Sequence, residues 1–391
     1  MRESQGPVLL KARLSIILKI ILCFLVGHPY GQAIAEFPIP KIVSTTDVSK
    51  MNITEGPIQP FNKVLSRLDV SDDINRIGGM RYFFNSGDPY LLINGFEYYS
   101  ADAGEQPTMF GLQSPSDLEN SETDGAYEVK GWDRSSGWIS KIPREWQDAL
   151  GGKWITGHSS GIPIIGRTSV GPSAFVFDPY EIINDSTVQE PISTTEVLGF
   201  SLGNPLHDDL HNNSGNNNLW THLSRATYGF IASGTDTYVT IGKSGGHGPE
   251  GVCYKCTDSS GDSCGGYCAP DAEDYYFYYW LWNVNDMAAA KSGEKEPYEV
   301  RPYEYGKFPV PFKSDIHPKN RTIKGGTFDS ETGRLYLHIK NPYNYQSEYE
   351  PPPLILAYSI DTSSSTECSI DSDCSDNNPC TDNFCNSGIC E

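Results

Sequence analysis

Between residues 36 and 361, apolar and aromatic positions fall in short runs with period-two alternation, broken constantly by glycine and proline. That pattern predicts strands and turns rather than helices. The best helix signal is residues 143–150, "PREWQDAL", with proline at its start and Gly151-Gly152 at its stop. Three segments share a layout: residues 171–179 (GPSAFVFDP), 278–286 (YYWLWNVND) and 353–361 (PLILAYSID). Each reads as an apolar, aromatic strand ending near an aspartate. The second and third follow candidate hairpins, at residues 234–246 and 325–341; in the latter, residues 329–333 form the turn. Many short strands in loose repeats favour an all-β fold, a β-propeller of five to seven blades, over a sandwich or a jelly-roll pair. Blades burying one another's aromatic faces would use the 23 Tyr, 16 Phe and 7 Trp.

The two ends differ from this body. Residues 1–35 carry Arg2, Lys11, Arg13 and Lys19, an apolar stretch, and the small-x-small site Ala33-Ile34-Ala35 before Glu36. This is signal-peptide architecture, and it predicts a secreted, extracellular protein. The apolar run is shorter than the ~20 residues a spanning helix needs, and no later stretch is long enough. Residues 362–367, "TSSSTE", read as a Ser/Thr linker, and residues 368–391 as a Cys-rich module. Its five cysteines (Cys368, Cys374, Cys380, Cys385 and Cys390) cannot all pair among themselves, so a sixth is expected beyond Glu391 or the chain is truncated there.

Charge narrows the partners. The chain holds 29 Lys+Arg and 50 Asp+Glu, a net of −21; without residues 1–35, which carry four of the bases and one acid, the net is −24. Such a surface repels phosphate backbones, so nucleic acid is not expected. An extracellular protein or glycan ligand fits better, and calcium is a candidate cofactor.

The tail resembles the small Cys-rich repeat of secreted proteins with the pattern C…D-x-D-C-x-D-x-N-P-C-T-x-D-x-C…G-x-C. Asp371-Ser372-Asp373-Cys374, Asn378-Pro379-Cys380-Thr381, Asp382, Cys385 and Gly388-Ile389-Cys390 match it with shifted spacing. That resemblance implies an extracellular spacer or adhesion module. The body resembles secreted propeller-like proteins through "GWISKIPREWQDALGGKWITG", "GPSAFVFDP", "YYWLWNVNDM", "EVRPYEYGKF" and "GGTFDSETGRLYL". This second resemblance implies the fold and leaves the activity open.

Candidate chemistry is scattered. Gly157-His158-Ser159-Ser160-Gly161 fits G-x-S-x-G, the nucleophile elbow of serine hydrolases. An elbow needs a helix directly after the serine; Pro163, Gly166 and the β-branched residues there predict a turn instead. His207 and His211, with Asp208 and Asp209 between, have helical metal-ligand spacing but lie in a polar, loop-like stretch. The Gly-rich "SGGHGPEG" around His247 lacks the lysine and helix of a phosphate loop. Cys253, Cys256, Cys264 and Cys268 suit zinc in a reducing compartment and two disulfides in an exported protein; disulfides are expected.

Asp371, Asp373, Asp376 and Asp382 are candidate calcium ligands, although the turn glycine of an EF-hand is missing and Asp382 stands where a glutamate is needed. Asn52, Asn184, Asn212 and Asn320 head glycosylation triplets. Glycoside hydrolysis needs paired carboxylates, and Asp72, Asp73, Glu97 and Glu304 lie near predicted strand ends without a mark that singles out a pair. Trp132, Trp138 and Trp280 are either sugar-stacking platforms or core. The leading expectation is a noncatalytic binding or adhesion propeller. The alternative is a glycan-active hydrolase; a serine hydrolase through Ser159 ranks last.

Overall fold

A computed structural model of the chain describes residues 41–47, 74–97, 105–113, 115, 123–159, 169–183, 187–310, 317–340, 354–360, 385–386 and 389–390. Strand β1 (Lys41–Asp47) is paired far along the chain, as described below. The first complete antiparallel sheet is β2 (Ile74–Asn85), β3 (Asp88–Glu97), β4 (Met109–Leu112) and β5 (Thr123–Tyr127), in sequential order. The second is β6 (Trp138–Lys141), β7 (Trp154–Gly157), β8 (Ala174–Phe177) and β9 (Thr194–Leu198). The third takes β10 (Arg225–Ile231), β11 (Thr237–Gly245), β14 (Tyr275–Asn283) and β15 (Pro302–Lys307). Between its second and third strands lies a small hairpin of β12 (Cys253–Tyr254) and β13 (Tyr267–Cys268). The fourth comprises β16 (Thr322–Asp329), β17 (Arg334–Lys340) and β18 (Leu354–Ser359), with β1 on its outer edge.

These sheets are the blades of a propeller-like arrangement. The first strands of the blades touch one another: β6 meets β2 and β10, β10 meets β16, and β6 reaches β16 across the axis. The last blade takes its outer strand from β1, the first strand among the described residues, which bonds to β18. Four blades among the described residues replace the five to seven expected from length. The reason is where the chain is spent. Each blade carries long connections, including residues 158–173 and 246–274, and three helices sit between strands.

With so few blades the inner strands crowd the axis, which is why glycines recur there. A Cβ on Gly78 would lie 1.8 Å from the Ser136 carbonyl oxygen, and one on Gly229 would lie 2.4 Å from the Tyr238 hydroxyl. The core lies between blades and is aromatic: Trp138, Trp220, Trp280 and Trp282 are each at most 2% exposed. Trp138 and Trp280 are therefore packed in the core.

Helix α1 (Arg144–Leu150) forms where expected, capped by Gly151 in the left-handed region (φ 76°). Helix α2 (Tyr180–Ile183) is a single turn. Helix α3 (Val284–Ser292) was not expected, because "WNVND" had been read as the end of a strand. Asn283 caps it by accepting the Asn285 N–H, and Gly293 (φ 80°) stops it. The three look-alike sequence segments turn out to be equivalent. They contain β8, β14 and β18, the third strands of the second, third and fourth blades.

The propeller unit spans Phe37–Asp361; Met1–Glu36 and Thr362–Glu391 cluster as a second unit. In that second unit β19 (Cys385–Asn386) pairs with β20 (Ile389–Cys390), setting Cys385 opposite Cys390. The leader, the linker, Cys368, Cys374, Cys380, the four tail aspartates, Asn52, Asn184, Asp72 and Asp73 lie outside the described residues. Among the described residues, no helix is long and apolar enough to cross a membrane.

Candidate functional site

Strand register fixes which groups share one end of the channel. Ile77 pairs with Gly95, Trp138 with Gly157, Arg225 with Lys243 and Thr322 with Lys340. Inner strands thus begin where second strands end, and the 246–274 connection leaves β11 at that end, the mouth.

Three of the four inner strands break register at the same level. Pairing slips between Ile77 and Met80, leaving out Gly78 and Gly79; between Ala226 and Tyr228, leaving out Thr227; and between Ile323 and Gly325, leaving out Lys324. A bulge bends a strand and re-aims the extra residue. The extra residues here all line the axis. A cavity of about 80 Å³ is lined by Phe96, His158, Arg225, Thr227 and Lys324, among others. A second, of about 310 Å³, shares Gly78, Trp138, Thr227 and Lys324 with it and runs on to Gly326, Tyr336 and His338. Among the described residues, no aspartate or glutamate lines either cavity. In a chain with 50 acidic and 29 basic residues, this is a local reversal of charge.

The electrostatics follow from burial and crowding. His158 is buried, with its ring 4.5 Å from that of Phe96. Its main chain is held by Ser173: the Ser173 N–H donates to the His158 carbonyl at 3.1 Å, and the His158 N–H donates to Ser173 Oγ at 3.2 Å. Desolvation, with the Arg225 charge second, pushes its imidazole down to about 3, so it is neutral at physiological pH. Lys243 is pushed down to about 8 by burial and then by Arg225. His338 is lowered by burial and by Lys324 and Lys340.

The far end of the channel is mixed in sign. A cavity of about 390 Å³ there is lined by Arg81, Lys141, Arg144, Glu145, Tyr228 and Glu331, among others. Glu145 already accepts the Gly234 N–H at 2.8 Å, and the Arg81 guanidinium lies 5.0 Å from the Trp154 ring centre.

Other sequence candidates are dispersed. Ser159 is buried just after a central strand, and its Oγ has no hydrogen-bond partner among the described residues, a histidine included. The residues directly after it lie outside the described set. His207 and His211 lie in a loop: His207 Nδ1 accepts the Asp209 N–H, while His211 packs against His222 and Tyr267. Glu304 is on the outermost strand of its blade and accepts the Tyr279 hydroxyl at 2.6 Å, away from the channel. Glu97 closes β3, with only its backbone described. Trp132 is half-buried in a 3-10 turn.

Asn212 corrects an expectation. It is fully buried, and its amide nitrogen donates to the carbonyls of Gly246 and Gly248 while its oxygen accepts the Asn217 N–H. A glycan on that nitrogen would have to break into the fold. Asn320 is exposed.

In the 246–274 connection, Cys253 lies at disulfide-bonding distance from Cys256, and Cys264 from Cys268. Asp258, Asp262 and His317 place ligand atoms within 4.8 Å of one another. Lys319 already supplies a cation there, 2.7 Å from Asp262 Oδ2 and 3.6 Å from Asp258 Oδ2, and so ties the connection to the turn before β16. His247, singled out for its glycines, joins a buried hydroxyl chain instead: its Nε2 is 2.7 Å from Ser244 Oγ, which is 2.7 Å from Ser224 Oγ. Ser244 is fully buried, so the pair is structural.

Sequence reading missed Arg225, Lys243, Lys324 and His338, which stand alone in the chain. One faint signal existed. "IGG" at residues 77–79 and "IKGG" at residues 323–326 are the same bulged position in two blades.

No protein-family model matches the chain, and no curated protein matches it. Among solved structures it is similar to MPT-4, a mannose phosphorylase from Leishmania mexicana in complex with phosphate ion, at 11% identity and a TM-score of 0.24, over 77% of this chain and 92% of that one.

Proposed function

We propose that this is an extracellular, noncatalytic binding propeller that takes an acidic glycan at the channel mouth. One observation supports the reading: in an acidic chain, two adjoining cavities along the bulged inner strands are lined by Arg225, Lys324, His158 and His338 and, among the described residues, by no carboxylate. The 246–274 connection at the same end adds contact surface for an extended ligand. A guanidinium and an ammonium beside an aromatic ring suit a sugar carboxylate or sulfate better than a neutral sugar.

The test is calorimetric titration of the full chain with a uronic-acid oligosaccharide, a sulfated oligosaccharide and a neutral glucan oligomer. The acidic oligomers are expected to bind, more weakly as salt rises, and Lys324→Ala is expected to weaken binding about tenfold, the loss of one charged contact. Equal binding of the neutral oligomer, or none by any of the three, rejects the reading. Glycoside cleavage that is lost in Glu331→Gln would replace it with a hydrolase working at the opposite cavity.

A further inference from the structure

Three of the four cysteines of the 246–274 connection gather their sulfurs together and the fourth is bonded to one of them, which two separate staples do not require. Cys253 and Cys268 are direct partners in the β12–β13 hairpin. The hairpin is continued by the Lys255 N–H to the Gly266 carbonyl (2.8 Å) and the Cys264 N–H to the Cys256 carbonyl (2.9 Å). Between the two bonded pairs, Cys256 Sγ is 3.3 Å from Cys268 Sγ, and Cys253 Sγ is 3.9 Å from it. The sulfurs of Cys253, Cys256 and Cys268 all lie within 4.8 Å of one another, and Cys264 is joined to Cys268.

Tetrahedral zinc holds thiolates at about 2.3 Å, which sets its sulfur–sulfur edges near ~3.8 Å. The gaps between the two pairs already bracket that edge. Three sulfurs are already gathered, and Cys264, bonded to Cys268 but outside that group of three, has to draw in as its S–S bond opens to complete a four-sulfur cage. The backbone supports this as well, because the cage would sit across a hairpin whose register is fixed by its own hydrogen bonds.

We propose that Cys253, Cys256, Cys264 and Cys268 are a two-state module: two disulfides when oxidised, and a four-cysteine zinc site when reduced. A dithiol reductant supplies two electrons and two protons to each S–S bond and is itself oxidised to a disulfide, giving four thiols. Zinc then binds four thiolates and releases the four thiol protons to solvent. The loop thus has a holding device in either redox compartment, and its shape at the channel mouth is preserved in both.

The test uses the full chain, reduced with dithiothreitol, freed of reductant under argon and titrated with Co²⁺ and then Zn²⁺. One equivalent of Co²⁺ should give the sulfur-to-metal charge-transfer and tetrahedral visible bands of a four-thiolate site, and Zn²⁺ should bleach them. Cys256→Ser and Cys264→Ser should each lose the four-thiolate spectrum while circular dichroism stays that of the propeller. The unreduced protein should bind neither ion at this loop. Absence of the cobalt bands in folded, reduced protein, or their persistence in either serine variant, overturns the proposal.

Discussion

Arg225 and Lys243 are direct partners across the β10–β11 ladder, two cations in register at the channel mouth of an acidic protein. Like charges directly opposite on a sheet destabilise it by roughly 0.2–1 kcal/mol. Lys243→Met is therefore expected to stabilise the free protein by about that amount at pH 7, read by urea unfolding. Lys243 is lowered from the usual lysine value to about 8, so the gain is full below pH 8 and fades as the wild-type ammonium deprotonates above it. A gain that is independent of pH would show that the charge is not responsible.

His158 is held neutral by burial, with its value lowered to about 3. The unfolded chain binds a proton here below about pH 6.5 and the folded chain does not, so stability is fully present above that pH and is lost on the way down toward 3. The slope from this group approaches about 1.4 kcal/mol per pH unit. His158→Leu should flatten the acid limb of the unfolding free energy between pH 6 and pH 4; an unchanged limb would assign acid sensitivity to other groups.

The two axial glycines Gly229 and Gly325 should respond in opposite ways to alanine. A Cβ at Gly229 meets the Tyr238 hydroxyl at 2.4 Å and the Trp138 ring at 2.9 Å, so Gly229→Ala should cost about 1–3 kcal/mol. At Gly325 nothing lies within 4 Å, and Gly325→Ala should be neutral or mildly stabilising. Thermal denaturation of the two variants side by side decides it.

Ser159→Ala should leave fold and binding intact, because the hydroxyl it removes is buried without a hydrogen-bond partner among the described residues. A gain of up to about 1 kcal/mol is consistent with relief of that burial. Covalent labelling of wild-type Ser159 by a fluorophosphonate would contradict this.

In a glycosylating host, Asn320 is the expected acceptor of the two described triplets, and Asn212 should be recovered unmodified by peptide mass mapping. Asn212→Ala should cost about 2–3 kcal/mol, since it leaves buried main-chain groups unpaired and its backbone sits at φ 54°.

Much of the local structure was legible in the chain. Pro143 and Gly151 mark the ends of α1 because their constraints are local, and the turn before Arg334 is set by Asp329 and Gly333 in the same way. The third-strand segments could be recognised as kin because each must bury both faces between blades. Helix α3 was missed because its Ala-rich turns follow an aromatic strand without a break, and its cap is one asparagine.

Sequence alone therefore determined the all-β character, the strand-and-turn grammar and the position of the stapled loop, all consequences of periodicity and backbone constraints over a few residues. Tertiary structure decided the rest. The fourth strand of the last blade depends on β1 pairing with β18, some three hundred residues later. The mouth is assembled from single residues on three inner strands, brought together by bulges that have meaning only once a partner strand is in place. Arg225, His158 and Lys324 become a site because the channel axis brings them together.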